Sequence, residues 1–80
     1  MNSFSKIKWQ CRRGTLELDI MLSRYLDSAY EKAEDFEKQQ FLNLLDLQDT
    51  ELMTYLMGNQ LPESEGLAGI VKKIRALPAN

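Results

Sequence analysis

A single glycine near the start of the chain, Gly14, separates a short helical pattern from a much longer one. Helices often end through a residue in the left-handed region of backbone space, which glycine enters without a steric penalty from a Cβ atom. Arg12 and Arg13 would then lie in the last turn of the first helix, where unpaired carbonyl groups favour cations. Gly14 therefore predicts that one helix ends here and another begins at once.

The residues after this glycine suit the start of a second helix. The Thr15 hydroxyl can cap the free N–H groups of the first turn, and Glu17 and Asp19 place negative charge where those groups favour it. In this structural interpretation, every charge in residues 11–19 matches a helix terminus. In a functional interpretation, Arg13 and Glu17 form an exposed polar patch that binds a partner. The two differ in whether the charged groups bond to each other or face outward.

Apolar residues farther along recur at helical spacing, and no segment alternates convincingly between apolar and polar residues as a strand would. We expect an all-α antiparallel bundle of about five short helices, because the predicted turns are short. The helices after the first run from after Thr15 to about Lys32, from about Phe36 to Leu47, from Asp49 to Gly58, and from Pro62 or Ser64 to just before Leu77. Asp35 and Asp49 are the predicted caps of the third and fourth helices, and Gly58 is expected to end the fourth.

The predicted core lines one face of each helix, because apolar residues three and four positions apart share a face. Its members are Leu18, Met21, Leu22, Tyr25, Ala29, Ala33, Phe41, Leu44, Leu45, Leu52, Tyr55, Leu56, Leu67, Ile70, Val71 and Ile74, with Leu26 and Tyr30 widening the apolar stripe of the second helix and Leu42 and Leu47 lying beside that of the third. Tyr25 and Tyr30 are expected at the core edge with their hydroxyl groups in water. For Trp9, the core edge and the exposed surface are both open.

Length and composition set outer bounds on the protein. Eighty residues, 44% of them hydrophobic, allow one domain with a modest core. We expect a single domain over residues 1–80, ordered from about residue 5 to 77, with a disordered tail at residues 78–80. The single cysteine excludes an internal disulfide and favours a reducing compartment. Without a long apolar run or a signal-like start, the expectation is a soluble cytoplasmic protein that does not insert into a membrane.

The side chains that most enzymes use are missing from this sequence. There is no histidine, which removes the usual general base near neutral pH and the Ser-His and Cys-His nucleophile systems. One cysteine cannot build a zinc or iron–sulfur site within one chain, so no metal site is expected. A basic start on an acidic body also argues against nucleic-acid binding, because acidic groups repel phosphates. The sequence therefore predicts a binding module and not an enzyme.

Two blocks of the sequence resemble a known family. The first block reads Trp9-x-Cys11-Arg12-Arg13-Gly14-x-x-Glu17-Leu18-Asp19. The second reads Asp49-x-x-Leu52-x-x-Tyr55-Leu56-Met57-Gly58-x-x-x-Pro62. Together they closely resemble the signature of the SdhE family, which are the FAD assembly factors of succinate dehydrogenase and are called succinate dehydrogenase assembly factor 2 in eukaryotes. The hallmark of that family is the pattern Arg-Gly-x-x-Glu.

The resemblance implies a function and a partner. Members of the family help to attach FAD covalently to a histidine of the flavoprotein subunit of succinate dehydrogenase and, in bacteria, of the related fumarate reductase. The reaction is regarded as largely self-catalysed by the flavoprotein. FAD would thus be the cofactor of the partner, and this chain would hold no cofactor tightly. The acidic C-terminal extension of eukaryotic members is missing, which favours a bacterial form. The chain is expected to act as a monomer in the cytoplasm.

The resemblance also implies which residues bind the partner. They are Trp9, Arg12, Arg13, Gly14, Glu17 and Asp19. Arg13 would offer a planar fork of donors, Glu17 would accept from N–H groups or pair with a basic side chain, and Gly14 would let the backbone of the partner come close. Arg12 and Asp19 would be rim charges, and Trp9, if exposed, would be an anchor.

The sequence departs from the family pattern at two positions, and other functions stay open. Tyr55 stands where the family more often has Trp, and Thr50 stands where many members have Pro. Neither departure touches the Arg-Gly-x-x-Glu pattern. Bacterial members have also been described as antitoxins, so an antitoxin or a generic interaction module that neutralises or bridges a partner protein is the alternative.

Overall fold

The computed structural model describes residues 4–77. Their five α-helices are α1 (Phe4–Gln10), α2 (Leu16–Tyr25), α3 (Asp35–Leu45), α4 (Asp49–Leu56) and α5 (Glu65–Ala76). Residues 4–77 contain no strand, so the predicted all-α fold is confirmed. The tail expected to be disordered, residues 78–80, lies outside the described residues.

The second helix continues past α2 in a form that the sequence pattern did not predict. A π-helical segment, Leu26–Tyr30, follows α2 directly, so the helical stretch ends slightly before the expected Lys32. Tyr25 and Leu26 are both buried although they are adjacent in the sequence. The wider π turn shifts the apolar face of the helix at this point, which lets neighbouring residues both face the core.

The core contains predicted residues from α2, α3, α4 and α5, and it also contains Ile7 of α1. Each predicted core residue is buried or half-buried in the structure. The buried apolar residues are Ile7, Cys11, Leu18, Leu22, Tyr25, Leu26, Phe41, Leu44, Leu45, Leu52, Leu56, Ile70, Val71 and Ile74. Tyr25 is completely buried and packs on Phe41 with ring centroids 4.6 Å apart, so its expected place at the core edge is wrong.

Helix α5 packs against three of the other helices. It contacts α2, α3 and α4, and α2 also contacts α4. The described residues extend over 30 × 27 × 24 Å. Ser64 caps α5 as expected, because its hydroxyl accepts a hydrogen bond from the Leu67 N–H at 3.4 Å. Each helix within residues 4–77 is too short or too polar to cross a lipid bilayer.

The N-caps of α3 and α4 lie one residue before the predicted positions. Glu34 and Gln48 have the extended backbone of a cap, whereas Asp35 and Asp49 are already the first helical residues. At α4, the Glu51 carboxylate accepts a hydrogen bond from the Gln48 N–H at 3.2 Å and satisfies that donor. The predicted caps at Asp35 and Asp49 are therefore wrong, and the carboxylate of Asp49 is left to bond elsewhere.

Gly58 follows the end of α4, but for a different reason from the one expected. Its φ angle is not positive, and its N–H donates to the Met53 carbonyl at 3.1 Å. A Cβ atom at this position would come within 2.4 Å of the Thr54 carbonyl oxygen. Crowding by the preceding helical turn, and not a left-handed backbone, is what requires glycine here.

Candidate functional site

The chain leaves α1 earlier than the sequence pattern predicted. The helix ends at Gln10, and the next side chain, Cys11, is fully buried. Arg12 and Arg13 therefore lie beyond the helix, in a link of residues 11–15 that leads to α2, and their predicted place in the last helical turn is wrong. Because Cys11 is buried, the chain turns toward the core at this residue and does not continue into another helical turn.

Gly14 turns the backbone within this link. Its φ angle is +83°, which confirms the predicted left-handed conformation. No atom lies within 4 Å of the place where a Cβ would stand, so the backbone angle and not crowding favours glycine. Thr15 has the extended backbone of the α2 N-cap, but its hydroxyl makes no capping hydrogen bond, so that predicted bond is wrong. The negative charges of Glu17 and Asp19 in the first turn favour the helix start instead.

The side chain of Arg13 points into the protein. Its Nη2 donates to the carbonyl oxygen of Leu45, the last residue of α3, and its Nη1 donates to the Leu47 carbonyl at 3.4 Å. Nη1 also lies 3.4 Å from Oδ1 of Asp49, and only 16% of the Arg13 side chain is exposed. A cation at the C-terminal carbonyls of a helix is favourable, because those carbonyls carry partial negative charge. The guanidinium thus joins the link to residues 46–48, the turn between α3 and α4.

The backbone of Arg13 is anchored as well. Its N–H donates to Oδ1 of Asp19 at 2.6 Å, which connects the link to the first turns of α2. A carboxylate bound to a backbone N–H makes a strong, charge-assisted hydrogen bond. Asp19 therefore has a role within the chain, in addition to any rim contact that it makes with a partner.

Glu17 is arranged in the opposite way. Its side chain is exposed, and it makes no hydrogen bond or ion pair within residues 4–77. Arg13 and Glu17 therefore do not pair with each other. Of the two charges that define the Arg-Gly-x-x-Glu pattern, one is bonded inside the protein and the other faces outward.

Large apolar side chains that lie near Glu17 in the sequence are also exposed. Trp9 is 71% exposed, which decides between the two places that the sequence left open for it. Leu16 and Ile20 are 74% and 43% exposed and lie one turn apart on α2, on either side of Glu17 in the sequence. Trp9, Leu16, Glu17 and Ile20, together with the exposed Arg12, make up what we call the junction surface. Exposed apolar side chains beside polar ones are typical of protein-binding sites.

Leu16 and Ile20 were absent from the predicted site, although the sequence carried a signal for them. On a helical projection they lie opposite the buried Leu18 and Leu22, at positions where water-facing residues are normally polar. Arg12, Asp19 and Ile20 line a shallow depression on this face. The partner-binding roles of the six residues expected from the sequence remain predictions.

Cys11 is not a reactive group of this site. Burial raises the pKa of its thiol to about 11, and the nearby Arg13 guanidinium offsets this only in part. Since the thiolate is the nucleophilic form, the thiol is inert near neutral pH. No cluster of acidic or thiol side chains within residues 4–77 could hold a metal ion.

Comparison with known proteins decides the family. A family model described as "Flavinator of succinate dehydrogenase" matches residues 5–78. The chain belongs to this family. It is 44% identical over 77 residues to "FAD assembly factor SdhE" of Methylococcus capsulatus, covering 96% of this chain and 93% of the relative. The corresponding protein of Coxiella burnetii is 43% identical over 72 residues, with 90% and 88% covered.

A more distant relative matches an equally large share of the chain. The "FAD assembly factor SdhE" of Shewanella oneidensis is 34% identical over 77 residues, covering 96% of this chain and 94% of the relative. The resemblance inferred from the two sequence blocks is therefore confirmed. The family description ties its members to succinate dehydrogenase and its flavin, and the names of the relatives suggest an assisting and not a catalytic role.

Proposed function

We propose that this chain binds the flavoprotein subunit of succinate dehydrogenase and promotes the covalent attachment of FAD to it. The observation that carries the proposal is the match of residues 5–78 to the flavinator family. The geometry of the junction surface supports it, because that surface combines exposed apolar side chains with an unpaired carboxylate. Such a surface suits a protein partner better than a small molecule.

The contacts that we propose follow from exposure and charge. Trp9 inserts into an apolar recess of the flavoprotein as the anchor, and Leu16 and Ile20 exclude water around it. Glu17 accepts hydrogen bonds from N–H groups or pairs with a basic side chain of the partner. Gly14 is exposed and lacks a Cβ, so the backbone of the partner can approach the link closely.

The chemistry in this proposal belongs to the flavoprotein. This chain has no histidine and its cysteine is buried, so its own side chains offer no obvious nucleophile for the flavin. Its part is to hold the flavoprotein in an arrangement in which the bond between histidine and flavin forms. FAD remains the cofactor of the partner. We extend the proposal to the flavoprotein of fumarate reductase and to action as a monomer in the cytoplasm.

The test is the amount of covalent flavin on the succinate dehydrogenase flavoprotein, read by in-gel fluorescence. Cells lacking the chain are compared with cells that carry it intact, as Glu17→Ala or as Glu63→Ala. Glu63 is a matched control, since it is also an exposed glutamate but lies in the connection between α4 and α5. We expect flavinylation to fall on deletion, to return with the intact chain and with Glu63→Ala, and to stay low with Glu17→Ala.

Equal flavinylation in all four strains, under aerobic growth with ordinary flavin supply, would contradict the proposal. Co-purification with the intact chain is a second test, because it identifies the partner directly. The proposed function predicts a large flavoprotein, whereas a small membrane protein would favour the antitoxin alternative.

A further inference from the structure

We infer that Arg13 is a positioning residue, which holds the junction surface in place and does not itself contact the flavoprotein. This inference rests on the proposed function and deepens it. It assigns the two charges of the Arg-Gly-x-x-Glu pattern to different tasks: Glu17 binds the partner, and Arg13 fixes the frame on which Glu17 is presented.

The first argument is that the Arg13 guanidinium has no donor open to a partner, since its two terminal nitrogens are in use and its Nε, which has no hydrogen-bond partner within residues 4–77, is buried. Both terminal nitrogens of the guanidinium donate within the chain, to the carbonyl oxygens of Leu45 and Leu47 and to Asp49. The backbone N–H is occupied too, at 2.6 Å from Asp19. Only 16% of the Arg13 side chain is exposed. To contact a partner, the side chain would therefore have to leave both these acceptors and its largely buried position. Binding would then have to offset the loss of several charge-assisted hydrogen bonds.

The second argument is where these bonds lead. One end of Arg13 holds the turn between α3 and α4, and the other holds the first turns of α2 through Asp19. Glu17 lies between Arg13 and Asp19 in the sequence, so the direction in which α2 starts, and with it the direction of Glu17, depends on this anchor. Gly14 supplies the backbone turn that lets both ends be held at once.

The third argument comes from Asp49. It opens the second signature block of the sequence, yet it is not the cap of α4, because Gln48 occupies that position. Instead its carboxylate lies 3.4 Å from the Arg13 guanidinium. The two blocks, which are far apart in the chain, therefore meet at Arg13, and Asp49 belongs to the same positioning unit.

A lysine at position 13 separates the two roles. A lysine ammonium is a compact point charge and cannot reach the Leu45 carbonyl, the Leu47 carbonyl and Asp49 together, as a planar guanidinium does. It could still meet a single carboxylate of a partner. If Arg13 positions the surface, the Arg13→Lys variant loses binding to the flavoprotein. If Arg13 contacts the partner as a simple cation, the Arg13→Lys variant retains much of the binding.

The experiment is a double-mutant cycle on binding to the flavoprotein subunit, purified from cells that lack the assembly factor and measured by titration calorimetry. The variants are Arg13→Lys, Glu17→Ala and the two together. We expect each single change to weaken binding by about tenfold. The double variant should bind about as weakly as Glu17→Ala alone, because both changes remove the same contact between Glu17 and the partner. Independent losses that multiply to about a hundredfold would overturn the inference.

Two further results complete the test. Val71→Ala changes a buried residue of α5 and serves as a control for loss of stability. At a temperature where this variant is folded, it should bind the flavoprotein as the intact chain does. A loss of binding as large as that of Arg13→Lys would overturn the inference. In the isolated chain, Arg13→Lys should shift the amide resonances of Glu17 and of residues 46–49 together. Shifts confined to neighbours in the sequence would also overturn it.

The cycle distinguishes this inference from the proposed function. If the intact chain does not bind the flavoprotein, the proposed function fails and the inference fails with it. If the intact chain binds and Arg13→Lys binds equally well, the proposed function stands and only the positioning role is overturned.

Discussion

Replacing Tyr25 by Phe tests a hydrogen-bonded group that joins three helices. The Tyr25 hydroxyl of α2 donates to Oε2 of Glu37 in α3 at 2.5 Å, and the Lys73 ammonium of α5 donates to Oε1 of the same carboxylate at 2.5 Å. Burial by itself disfavours the ionised form of Glu37. The hydrogen bonds from Lys73 and Tyr25 outweigh this effect and hold the pKa of Glu37 below its ordinary value.

The expected cost follows from what the substitution removes. A hydrogen bond to a charged group is worth about 1.5–3 kcal/mol. The Glu37 side chain is 21% exposed, so water can partly replace the lost donor, and we expect a loss of about 1.5 kcal/mol in the free energy of unfolding. The phenyl ring still packs on Phe41 at 4.6 Å, so no cavity term is added.

The effect of Tyr25→Phe on the free energy of unfolding should also depend on pH, which gives a second, independent test. Because the pKa of Glu37 is lowered in the folded state, its contribution to stability is present above the unfolded pKa of about 4.3 and is lost as pH falls through the folded pKa. Tyr25→Phe removes one of the bonds that lower this pKa. The gap in stability between the intact chain and the variant should therefore narrow in acid.

Urea unfolding followed by circular dichroism measures both effects, at neutral pH and at a pH below the folded pKa of Glu37. Tyr30→Phe is the matched control, since Tyr30 also contacts Phe41 but its hydroxyl has no hydrogen-bond partner within residues 4–77. The control should be nearly neutral. An unchanged free energy of unfolding in Tyr25→Phe would refute the reasoning. So would a loss of the same size at both pH values, because the hydroxyl would then not act through the ionised carboxylate.

Three further predictions concern the junction and the core. Gly14→Ala should lower the free energy of unfolding by about 1 kcal/mol, measured by urea unfolding, and Gly14→Asn should cost less, because asparagine tolerates a positive φ better. Leu44→Ala should cost about 2–5 kcal/mol by the same assay, whereas the exposed Leu16→Ala should leave stability unchanged and weaken binding to the flavoprotein. Cys11 should react with a thiol reagent at neutral pH only after unfolding by urea, since it is buried and its pKa is about 11; rapid labelling of the folded chain would contradict its burial.

The parts of this fold that could be predicted from the sequence depend on neighbours along the chain. Apolar spacing identified the core face of each helix, because residues three and four apart share a face wherever the helix lies. Gly14 was identified as a left-handed residue for a similarly local reason. The caps at Asp35 and Asp49 were predicted one residue late, since the choice between adjacent polar residues depends on where the chain enters the helix.

The errors concern contacts between residues that are distant in the sequence. The sequence did not show that Arg13 is bonded within the chain, because its acceptors lie 32 to 36 positions farther along. Its expected contact with a partner stays a prediction. Tyr25 was expected at the core edge with a wet hydroxyl, but a glutamate of α3 reaches that hydroxyl within the fold. Periodicity assigns a side chain to a face of its helix, and it carries no information on which polar group of another helix meets it there.

This difference explains why a pattern as short as Arg-Gly-x-x-Glu is informative only in its context. The Arg13 side chain needs the carbonyl groups at the end of α3 and the carboxylate of Asp49. A chain that carried only the first signature block would hold the link through Asp19 alone. Anchored at both ends, the link presents a fixed carboxylate beside exposed apolar side chains, and little conformational entropy is lost when a partner binds. If the proposed function holds, Asp49 of the second signature block contributes to binding through the Arg13 anchor, without touching the partner.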